Sequence, residues 1–319
     1  MLIVYFASIL DFLIGDPWGW IHPVQLMGWI INSYTNFIVN NTDNKLLRKI
    51  AGVILGVGLV FGSGALTWLL IDIATKINIY LGIILQVILL ASCFAGKSLR
   101  CAAEDVLQYL RKDDLLTARY RLSFYVGRDT DILSTDEVLR AILETVAENT
   151  IDGVTAPLFY ALLGVFIPVI GCVPFAIAYK ALSTLDSMIG YKKEPFKDIG
   201  WFSAKLEDYI TWFPCRLTVL TLGVISGDVI NKINECRKYA TIDPSPNSGW
   251  SEGIYAVILG VQLGGENTYQ GEKKFKPLLG KSIHKIDENI IQKALLLTRF
   301  CFLLWLFIAT LILRLINSL

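Results

Sequence analysis

ETVAENTIDGVTAPLFY, at residues 144–160, decides the fold of this chain because polar side chains run directly into an apolar segment. Residues 153–179 carry no charge, but prolines and glycines interrupt them, namely Pro157, Gly164, Pro168, Gly171 and Pro174. These residues predict two half-length helices on either side of residues 168–171. Irregular backbone survives at membrane depth only where protein buries it or where it lines a cavity. The stretch therefore predicts a broken or re-entrant helical pair beside a functional site.

The composition indicates a membrane protein. Of the 319 residues, 54% are hydrophobic and 18% are charged, and the mean hydropathy is +0.54, whereas soluble domains carry about 25% charged residues. The net charge of +1 and the mixing of acidic with basic side chains argue against a nucleic-acid partner. The six cysteines form no CxxC pair and only two histidines accompany them, so we expect reduced thiols without a zinc site or a disulfide framework.

The apolar runs predict an all-α, polytopic integral membrane protein with roughly four to six membrane segments and cytoplasmic helical loops. We expect one membrane-embedded domain over residues 1–319. The N-terminal run lacks a basic region and a cleavage site, so we interpret it as a retained apolar helix. The candidate membrane segments are residues 1–14, 50–71, 77–96, 153–179 as the broken pair, 209–227 and 294–316.

The distribution of lysine and arginine predicts the orientation. Residues 41–49 and 97–128 are rich in basic side chains and flank the same predicted hairpin, so the positive-inside rule makes that side cytoplasmic. Residues 180–205 and 232–293 are also basic, which requires residues 153–179 to enter and leave on one face. We therefore expect a multi-pass protein of the cell (inner or plasma) membrane with a cytoplasmic active face.

A charged helix is predicted to precede the broken pair. Ser134 is its expected N-cap and Glu137 occupies the capping-box position. A spacing of four places a stripe of charges along this helix, namely Asp136, Arg140, Glu144, Glu148 and Asp152. The stripe is either a solvated face with an Arg140–Glu144 pair or a functional site, because carboxylates at membrane depth are costly. Such carboxylates suit Mg²⁺, which takes one or two of them together with substrate phosphates.

Residues 13–30 form a second candidate stretch, in which Asp16 and His22 each precede a proline. A proline restricts the residue before it to an extended or turn conformation. The pattern fits a helix start with Asp16 as N-cap and Pro17 at the first helical position. For His22, a structural histidine and a functional one both remain open.

Two more stretches offer anion binders. In residues 179–218, Arg216 lies in an apolar run and needs an anionic partner, either Asp208 or a phosphate. Residues 243–250 and 263–272 contain small residues, hydroxyls and amides. These can cradle phosphate in a backbone nest, although surface turns have the same composition.

Two familiar motifs are excluded. Asp152, Gly153 and Ala156 match the start of the CDP-alcohol phosphotransferase signature, but Pro157 stands where that signature needs arginine, and its later aspartates are missing. The chain also contains no Walker A motif, so any ATP is not bound by a P-loop.

Taken together, the charged stretches resemble the cobinamide-phosphate synthase family of cobalamin biosynthesis, often called CbiB. The resemblance covers nearly the whole chain in the family's order. Two departures are Glu207, where the family more often has aspartate, and Cys215, where alanine is usual. The residues that carry the resemblance are 15–28 (GDPWGWIHPVQLMG), 124–133 (FYVGRDTDIL), 144–160, 181–192 (ALSTLDSMIGYK), 206–218 (LEDYITWFPCRLT), 243–253 (DPSPNSGWSEG) and 263–271 (LGGENTYQG).

The resemblance implies ATP-dependent amide formation by a membrane enzyme. The f propionate of adenosylcobyric acid, a corrinoid, is joined to (R)-1-aminopropan-2-ol O-phosphate or to aminopropanol, giving adenosylcobinamide phosphate or adenosylcobinamide. It implies ATP and Mg²⁺ as cofactors. Expected partners are the two substrates, the lipid bilayer and other membrane-associated enzymes late in the cobalamin pathway, with no nucleic acid.

On this resemblance the site residues take three expected roles. The candidate catalytic residues are His22, Glu144, Glu148 and Asp208. The candidate substrate- and phosphate-binding residues are Arg128, Asp129, Asn149, Lys180, Asp186, Arg216, Ser245, Asn247 and Ser248. The candidate metal ligands are Asp16, Glu148 and Asp152.

Two non-enzymatic functions compete with the synthase. Broken helices with polar residues also suit a transporter, although no inverted repeat is apparent. A membrane sensor of the β-lactamase-induction type shares parts of the fold, and that function predicts erosion of the charged motifs, which are intact here.

Overall fold

The structure, a computed structural model, describes residues 1–15 and 22–318. Over these residues the chain is predominantly helical, as predicted for an all-α membrane protein, with one antiparallel two-stranded sheet. The chain divides into two compact units, each assembled from separate segments. The prediction of a single domain over residues 1–319 stays a prediction.

The first unit comprises Met1–Lys97, Ala156–Thr211 and Leu306–Leu319. Its helices are α1 Leu2–Leu13, α2 Pro23–Asn41, α3 Lys45–Ile77, α4 Ile79–Ala91, α8 Ala156–Val165, α9 Cys172–Ile189 and α10 Phe196–Ile199, with the first part of α11, Trp201–Ile225. Helix α3 packs against α2, α4, α9 and α10. Helix α1 packs against α4, and α8 packs against α9.

Local capping chemistry sets where the helices of this unit begin. Asn44 begins α3 by accepting a hydrogen bond from the backbone N–H of Leu46 at 2.9 Å, and His22 begins α2 by accepting one from Val24 at 3.2 Å. Pro23 occupies the first helical position of α2, so this helix starts at His22–Pro23. The predicted helix start at Asp16 and Pro17 lies outside the described residues.

Two of the described helices are long and apolar enough to cross a membrane, Lys45–Ile77 and Glu288–Ser318. The count rises to three if α4 and the helix that follows it, α5 (Gly96–Leu110), form one bent span. The predicted spans 50–71 and 294–316 fall inside the two long helices. The predicted span 77–96 is shorter than expected because α4 has only 13 residues.

The predicted break in residues 153–179 is confirmed, because α8 ends at Val165 and α9 begins at Cys172. The two helices pack against each other, and a Cβ on Gly164 would collide with the backbone carbonyl of Gly171. Glycine is therefore required at this position for the close approach. Neither α8 nor α11, which contains most of residues 209–227, is among the helices long and apolar enough to span a membrane.

The second unit comprises Ser98–Thr155 and Trp212–Trp305. The elements of this unit are most of α5, α6 Leu115–Leu122, α7 Thr135–Asn149, a π-helical segment Thr150–Thr155, the second part of α11, α12 Val229–Ala240, α13 Ser248–Leu259, β1 Gln262–Tyr269, β2 Glu272–Gly280 and most of α14, Glu288–Ser318. Helix α13 packs against α7, α12 and both strands.

Helix α7 begins as predicted. The backbone N–H of Glu137 donates to the Ser134 hydroxyl at 3.3 Å, and the Glu137 carboxylate accepts from the backbone N–H of Ser134 at 2.7 Å, which completes the capping box. The following π-helical segment adds a residue to the turn. Asp152, the last residue of the predicted stripe, lies in this π-helical segment.

A β-hairpin contains residues 263–272, whose composition suits either a phosphate-binding nest or a surface turn. Strands β1 and β2 pair antiparallel from Gln262 opposite Gly280 to Tyr269 opposite Glu272. Gln270 and Gly271 form the turn with φ of 53° and 80°, as a tight hairpin turn requires. An irregularity in β1 lies at Gly264, whose φ is 83°; there a Cβ would collide with the carbonyl of Pro277.

Candidate functional site

Glu144 lies at the centre of a buried charge cluster in the second unit. Its carboxylate accepts hydrogen bonds from the guanidinium of Arg128 and from the backbone N–H of Gly264 at 2.8 Å. The Nε of Arg140 lies 4.0 Å from the same carboxylate. Only 3% of the Glu144 side chain is exposed, so the solvated-face interpretation of this part of the stripe is wrong.

Asn267, on β1, joins the two arginines. Its side-chain oxygen accepts from Arg128 at 2.7 Å and from Arg140 at 3.2 Å. Arg140 also donates to the backbone carbonyls of Gly264 and of Glu266, the latter at 3.1 Å. Arg140 on α7 and Arg128 in the loop before α7 thereby attach the hairpin to α7.

Asp129, a predicted substrate- or phosphate-binding residue, holds the turn of the hairpin through hydrogen bonds to its backbone. Its carboxylate accepts from the backbone N–H of Gln270 at 3.0 Å and of Gly271 at 2.8 Å. Its own N–H donates to the carbonyl of Thr268 at 2.8 Å. These bonds satisfy backbone groups that the tight turn leaves without strand partners.

A second charge pair, Glu252 on α13 and Lys276 on β2, was not among the predicted site residues. The Lys276 ammonium donates to Oε1 of Glu252, whose side chain is fully buried, whereas 26% of the Lys276 side chain is exposed. The spacing of polar residues along the sequence does not predict this pair. The one sequence feature that indicates Glu252 is its place in residues 243–253, a stretch of the family resemblance.

The surroundings raise the pKa values of both Glu252 and Lys276. Burial raises the pKa of Glu252 to about 8, against the attraction of Lys276, and the negative charges of Glu148 and Glu144 act in the same direction as burial. Burial opposes the charged form of Lys276, but the attraction of these carboxylates, led by Glu252, outweighs it and raises the pKa of Lys276. Lys276 is therefore the member that stays charged near neutral pH.

The end of α7 presents the remaining carboxylates of the stripe. Glu148 and Asn149 are exposed, and Asp152 is half-buried in the π-helical segment. The amide of Asn149 donates to the carbonyl of Thr145 at 2.9 Å. Over residues 1–15 and 22–318, no three or more His, Cys, Asp or Glu side chains are arranged to hold a metal ion. Asp16 lies outside those residues, so the predicted metal ligands stay a prediction.

Arg216 is sandwiched between two tryptophans. Its guanidinium lies 5.1 Å from the ring centre of Trp212 and 4.9 Å from that of Trp250. It donates to the side-chain oxygen of Asn247 at 2.9 Å and to the carbonyl of Pro246 at 2.8 Å. Within its unit, Arg216 donates to neutral oxygens of the 243–250 loop, and its anionic partner, Asp208 or a phosphate, stays a prediction.

The 243–250 loop is ordered by its own side chains. Asp243 accepts from the backbone N–H of Ser245 at 2.8 Å, and the Ser245 hydroxyl accepts from the N–H of Ser248 at 3.2 Å. The structure thus brings together the predicted residues Ser245, Asn247 and Ser248 in one turn that leads into α13. Their roles in holding phosphate or a corrin amide stay predictions.

The remaining predicted residues, His22, Lys180, Asp186 and Asp208, belong to the first unit and are all half-buried. Burial raises the pKa of Asp208, although Lys205 and Lys192 oppose that shift. Its neighbour Glu207, where the family more often has aspartate, is the more buried carboxylate and accepts a hydrogen bond from the Thr211 hydroxyl. The Thr211 hydroxyl lies 3.0 Å from that of Tyr179.

The comparisons with known proteins agree over most of the chain. The cobalamin biosynthesis protein CobD of Synechocystis sp. is 52% identical over 297 residues, which cover 93% of this chain and 87% of that protein. The CbiB protein of Salmonella arizonae is 38% identical over 295 residues, covering 91% and 90%. The CobD protein of Halalkalibacterium halodurans is 40% identical over 294 residues, covering 89% of each chain.

No solved structure matches this chain. A family model described as CobD/Cbib protein matches residues 4–298. This match includes every stretch that brings a residue into the charge cluster. The chain therefore belongs to the CobD/CbiB protein family.

Proposed function

We propose that this membrane protein acts in cobalamin biosynthesis as an ATP-dependent amide synthase. It joins (R)-1-aminopropan-2-ol O-phosphate, or aminopropanol, to the f propionate of adenosylcobyric acid. The product is adenosylcobinamide phosphate or adenosylcobinamide. The relatives named as cobalamin biosynthesis proteins support the pathway, and the substrates follow from the family resemblance of the charged stretches.

The observation that carries the proposal is the convergence of four separate stretches at one buried cluster. Arg128, Glu144, Glu252 and Asn267 come from four different stretches of the resemblance. Within the second unit they form connected hydrogen bonds and electrostatic contacts. Buried ionisable groups with a shifted pKa concentrate at functional sites, and in this cluster burial raises the pKa of Glu252. A membrane sensor without chemistry has no evident need for such a cluster.

The chemistry requires activation of a carboxylate, which is a poor electrophile. An oxygen of the propionate attacks the γ-phosphorus of ATP, and the bond from that phosphorus to the bridging oxygen breaks to release ADP. The amine, after losing a proton to a base, attacks the acyl carbon, and inorganic phosphate leaves with the original carboxylate oxygen. Cationic side chains near the reacting oxygens stabilise the charge that develops.

The described residues fit a nucleotide-bound Mg²⁺, although they offer no complete protein cage. Mg²⁺ on phosphates usually takes one or two carboxylates from the protein. Glu148, which is exposed at the end of α7, and the half-buried Asp152 have the right donor chemistry. When bound, the ion neutralises phosphate charge. Glu144 is unsuited to this role because its carboxylate is occupied by Arg128 and Gly264.

We also propose where the reaction takes place. By the positive-inside rule, the basic loops favour a cytoplasmic position at the cell membrane for the charge cluster. A large corrinoid and a nucleotide are both available there, and other late enzymes of the pathway could receive the product directly. Labelling of a single introduced cysteine next to Glu148 in sealed vesicles tests this orientation.

Turnover by the purified full chain tests the function. The protein in detergent is given adenosylcobyric acid, ATP, Mg²⁺ and either amine, and the product mass is measured. We expect amide product that depends on ATP and on Mg²⁺. Glu148→Gln should lower turnover, while Glu266→Gln, an exposed carboxylate on the hairpin, is the matched control. A folded protein that makes no amide with either amine would support the sensor or transporter function instead.

A further inference from the structure

Glu252 and Lys276 form a charged pair that has no part in the chemical steps of the proposed reaction. Glu252 lies on α13 and Lys276 on β2, and both belong to the second unit. The pair is next to the Glu144 cluster electrostatically, because the charges of Glu144 and Glu148 act on both of its members.

The carboxylate of Glu252 is incompletely satisfied. Its Oε1 accepts from Lys276, but its Oε2 is buried and has no hydrogen-bond partner among the described residues. A buried polar atom without a partner lowers stability, and most buried polar atoms in proteins have one. A pair that served only to stabilise the fold would satisfy both oxygens. The free oxygen therefore indicates that the pair serves something besides packing.

The two members differ in their access to solvent. None of the Glu252 side chain is exposed, whereas 26% of the Lys276 side chain is. Glu252 can therefore orient its partner but cannot itself meet a ligand from solution. Lys276 has three donors on its ammonium, so it can donate to Glu252 and still donate to a ligand.

The charge balance favours an anionic ligand at Lys276. Arg128 and Arg140 both lie against Glu144, so that carboxylate is already matched. Burial disfavours the charged form of Glu252 and raises its pKa, so this carboxylate compensates the charge of Lys276 only in part. The charge of Glu148 also acts on Lys276, and the Mg²⁺ proposed at Glu148 would neutralise it.

We propose that Lys276, positioned by Glu252, binds an oxyanion of a substrate, either a phosphate or a carboxylate. The inference rests on the proposed function for the identity of the substrates. Three sources share this chemistry, namely the phosphates of ATP, the phosphate of aminopropanol phosphate and the propionate of adenosylcobyric acid. Lys276 is the binding residue, and Glu252 is a positioning residue.

Equilibrium binding and steady-state kinetics of the full chain test the proposal. Affinities for ATP, aminopropanol phosphate and adenosylcobyric acid are measured separately by calorimetry for the wild type and for Lys276→Met. We expect one of the three affinities to fall by about 10- to 100-fold, as the loss of one charge-assisted hydrogen bond implies. The KM for the same substrate should rise by a similar factor, and Lys276→Arg should restore most of the loss.

The identity of the affected ligand assigns the source. A loss for aminopropanol phosphate, with unchanged kinetics for aminopropanol, assigns the amine's phosphate. A loss for ATP with both amines assigns the nucleotide, and a loss for adenosylcobyric acid assigns the propionate. Lys274→Met is the matched control, because Lys274 lies two residues away on the same strand, is exposed and stacks on Tyr269. It should change none of the affinities.

A double variant keeps the test valid if Lys276→Met alone destabilises the chain. Replacing a buried ion pair by apolar residues of similar size is often neutral or stabilising. Glu252→Met with Lys276→Met should therefore fold, and it should lose the same affinity as Lys276→Met. Unchanged affinities for all three ligands in the folded double variant would overturn the proposal. Because binding is measured without turnover, a wild type that makes no amide refutes the proposed function and leaves this test intact.

Discussion

Glu144 and Arg128 form a buried ion pair in which 3% of the glutamate side chain and 9% of the arginine side chain are exposed. The carboxylate also accepts a hydrogen bond from the backbone N–H of Gly264 at 2.8 Å, at the irregularity in β1. One side chain thus links α7, the segment before it and the hairpin. The stability of the second unit and the proposed turnover of the protein should both depend on the Glu144 carboxylate.

Replacing Glu144 by Gln should destabilise the protein strongly. The amide can still accept from Gly264, but it leaves the charge of Arg128 buried without a counter-charge, which costs about 3–5 kcal/mol. Thermal unfolding in detergent measures the effect. Glu148→Gln on the exposed end of the same helix is the control, and its stability should stay within about 0.5 kcal/mol of the wild type. Equal stability of both variants would show that the buried pair is unimportant to the fold.

Asn267→Ala should destabilise the attachment of the hairpin. The oxygen of Asn267 accepts from both Arg128 and Arg140. Removing it takes away the acceptor of the Arg128 Nη1 and one of the two acceptors of the Arg140 Nη2, at a cost of about 1–3 kcal/mol. Asn267→Asp should retain stability because a carboxylate can accept from both guanidiniums. Hydrogen exchange of β1 and β2 reports the loss locally. Asn149→Ala, at an exposed asparagine on α7, should leave exchange in the hairpin unchanged.

The stability of the protein should fall with rising pH because of Glu252. The pKa of this carboxyl is raised to about 8 in the folded chain, against about 4.3 in an unfolded chain. Between these values the folded state binds a proton that the unfolded state has lost, so each pH unit removes up to about 1.4 kcal/mol of stability. Below the lower value both states are protonated, and above the upper value neither is.

Glu252→Gln removes this dependence and isolates it. Its stability advantage over the wild type should grow as the pH rises from about 5 to about 8 and then stay constant. Unfolding midpoints measured at several pH values give the comparison. Glu266→Gln, at an exposed hairpin carboxylate paired with Lys273 at 2.6 Å, should follow the wild-type profile. A constant difference between Glu252→Gln and wild type over this range would contradict the raised pKa.

Two glycines of α3 should respond in opposite ways to alanine. A Cβ on Gly52 would collide with the backbone carbonyl of Ile199, whereas a Cβ on Gly58 would meet nothing within 4 Å. Gly52→Ala should therefore destabilise the first unit by about 1–3 kcal/mol. Gly58→Ala should stabilise it by about 0.5–1 kcal/mol, because glycine is a poor helix former. Unfolding midpoints of the two variants in one detergent make the comparison, and a Gly52→Ala midpoint at or above that of Gly58→Ala would contradict the close approach.

Local signals in the sequence predicted several elements correctly. The Ser134 and Glu137 pair marked the start of α7, because a capping box depends only on residues three apart. The prolines and glycines of residues 153–179 marked the break between α8 and α9. Long uncharged runs marked the two long apolar helices, because the thickness of the hydrocarbon core sets their length. In each case the element is set either by residues close together in the sequence or by the thickness of the membrane core.

Interactions between distant residues explain what the sequence could not predict. The hairpin was missed because Gly264 and Gly265 interrupt the alternation of β1, and its pairing is supported by Asp129 and Arg140, more than a hundred residues away. The π-helical segment Thr150–Thr155, which contains Asp152, was not predicted. Glu252 was not singled out because neither its burial nor its partner on β2 leaves a periodic signal.

Transfer of isotopic oxygen tests the central claim, ATP-dependent activation of the propionate, most directly. Adenosylcobyric acid carrying two ¹⁸O atoms in its f carboxylate is given to the purified protein with ATP, Mg²⁺ and aminopropanol phosphate. The account predicts that the amide product keeps one ¹⁸O and that the released inorganic phosphate carries the other. Amide product formed with no ¹⁸O in any phosphate, or no amide formed by folded protein, would contradict it.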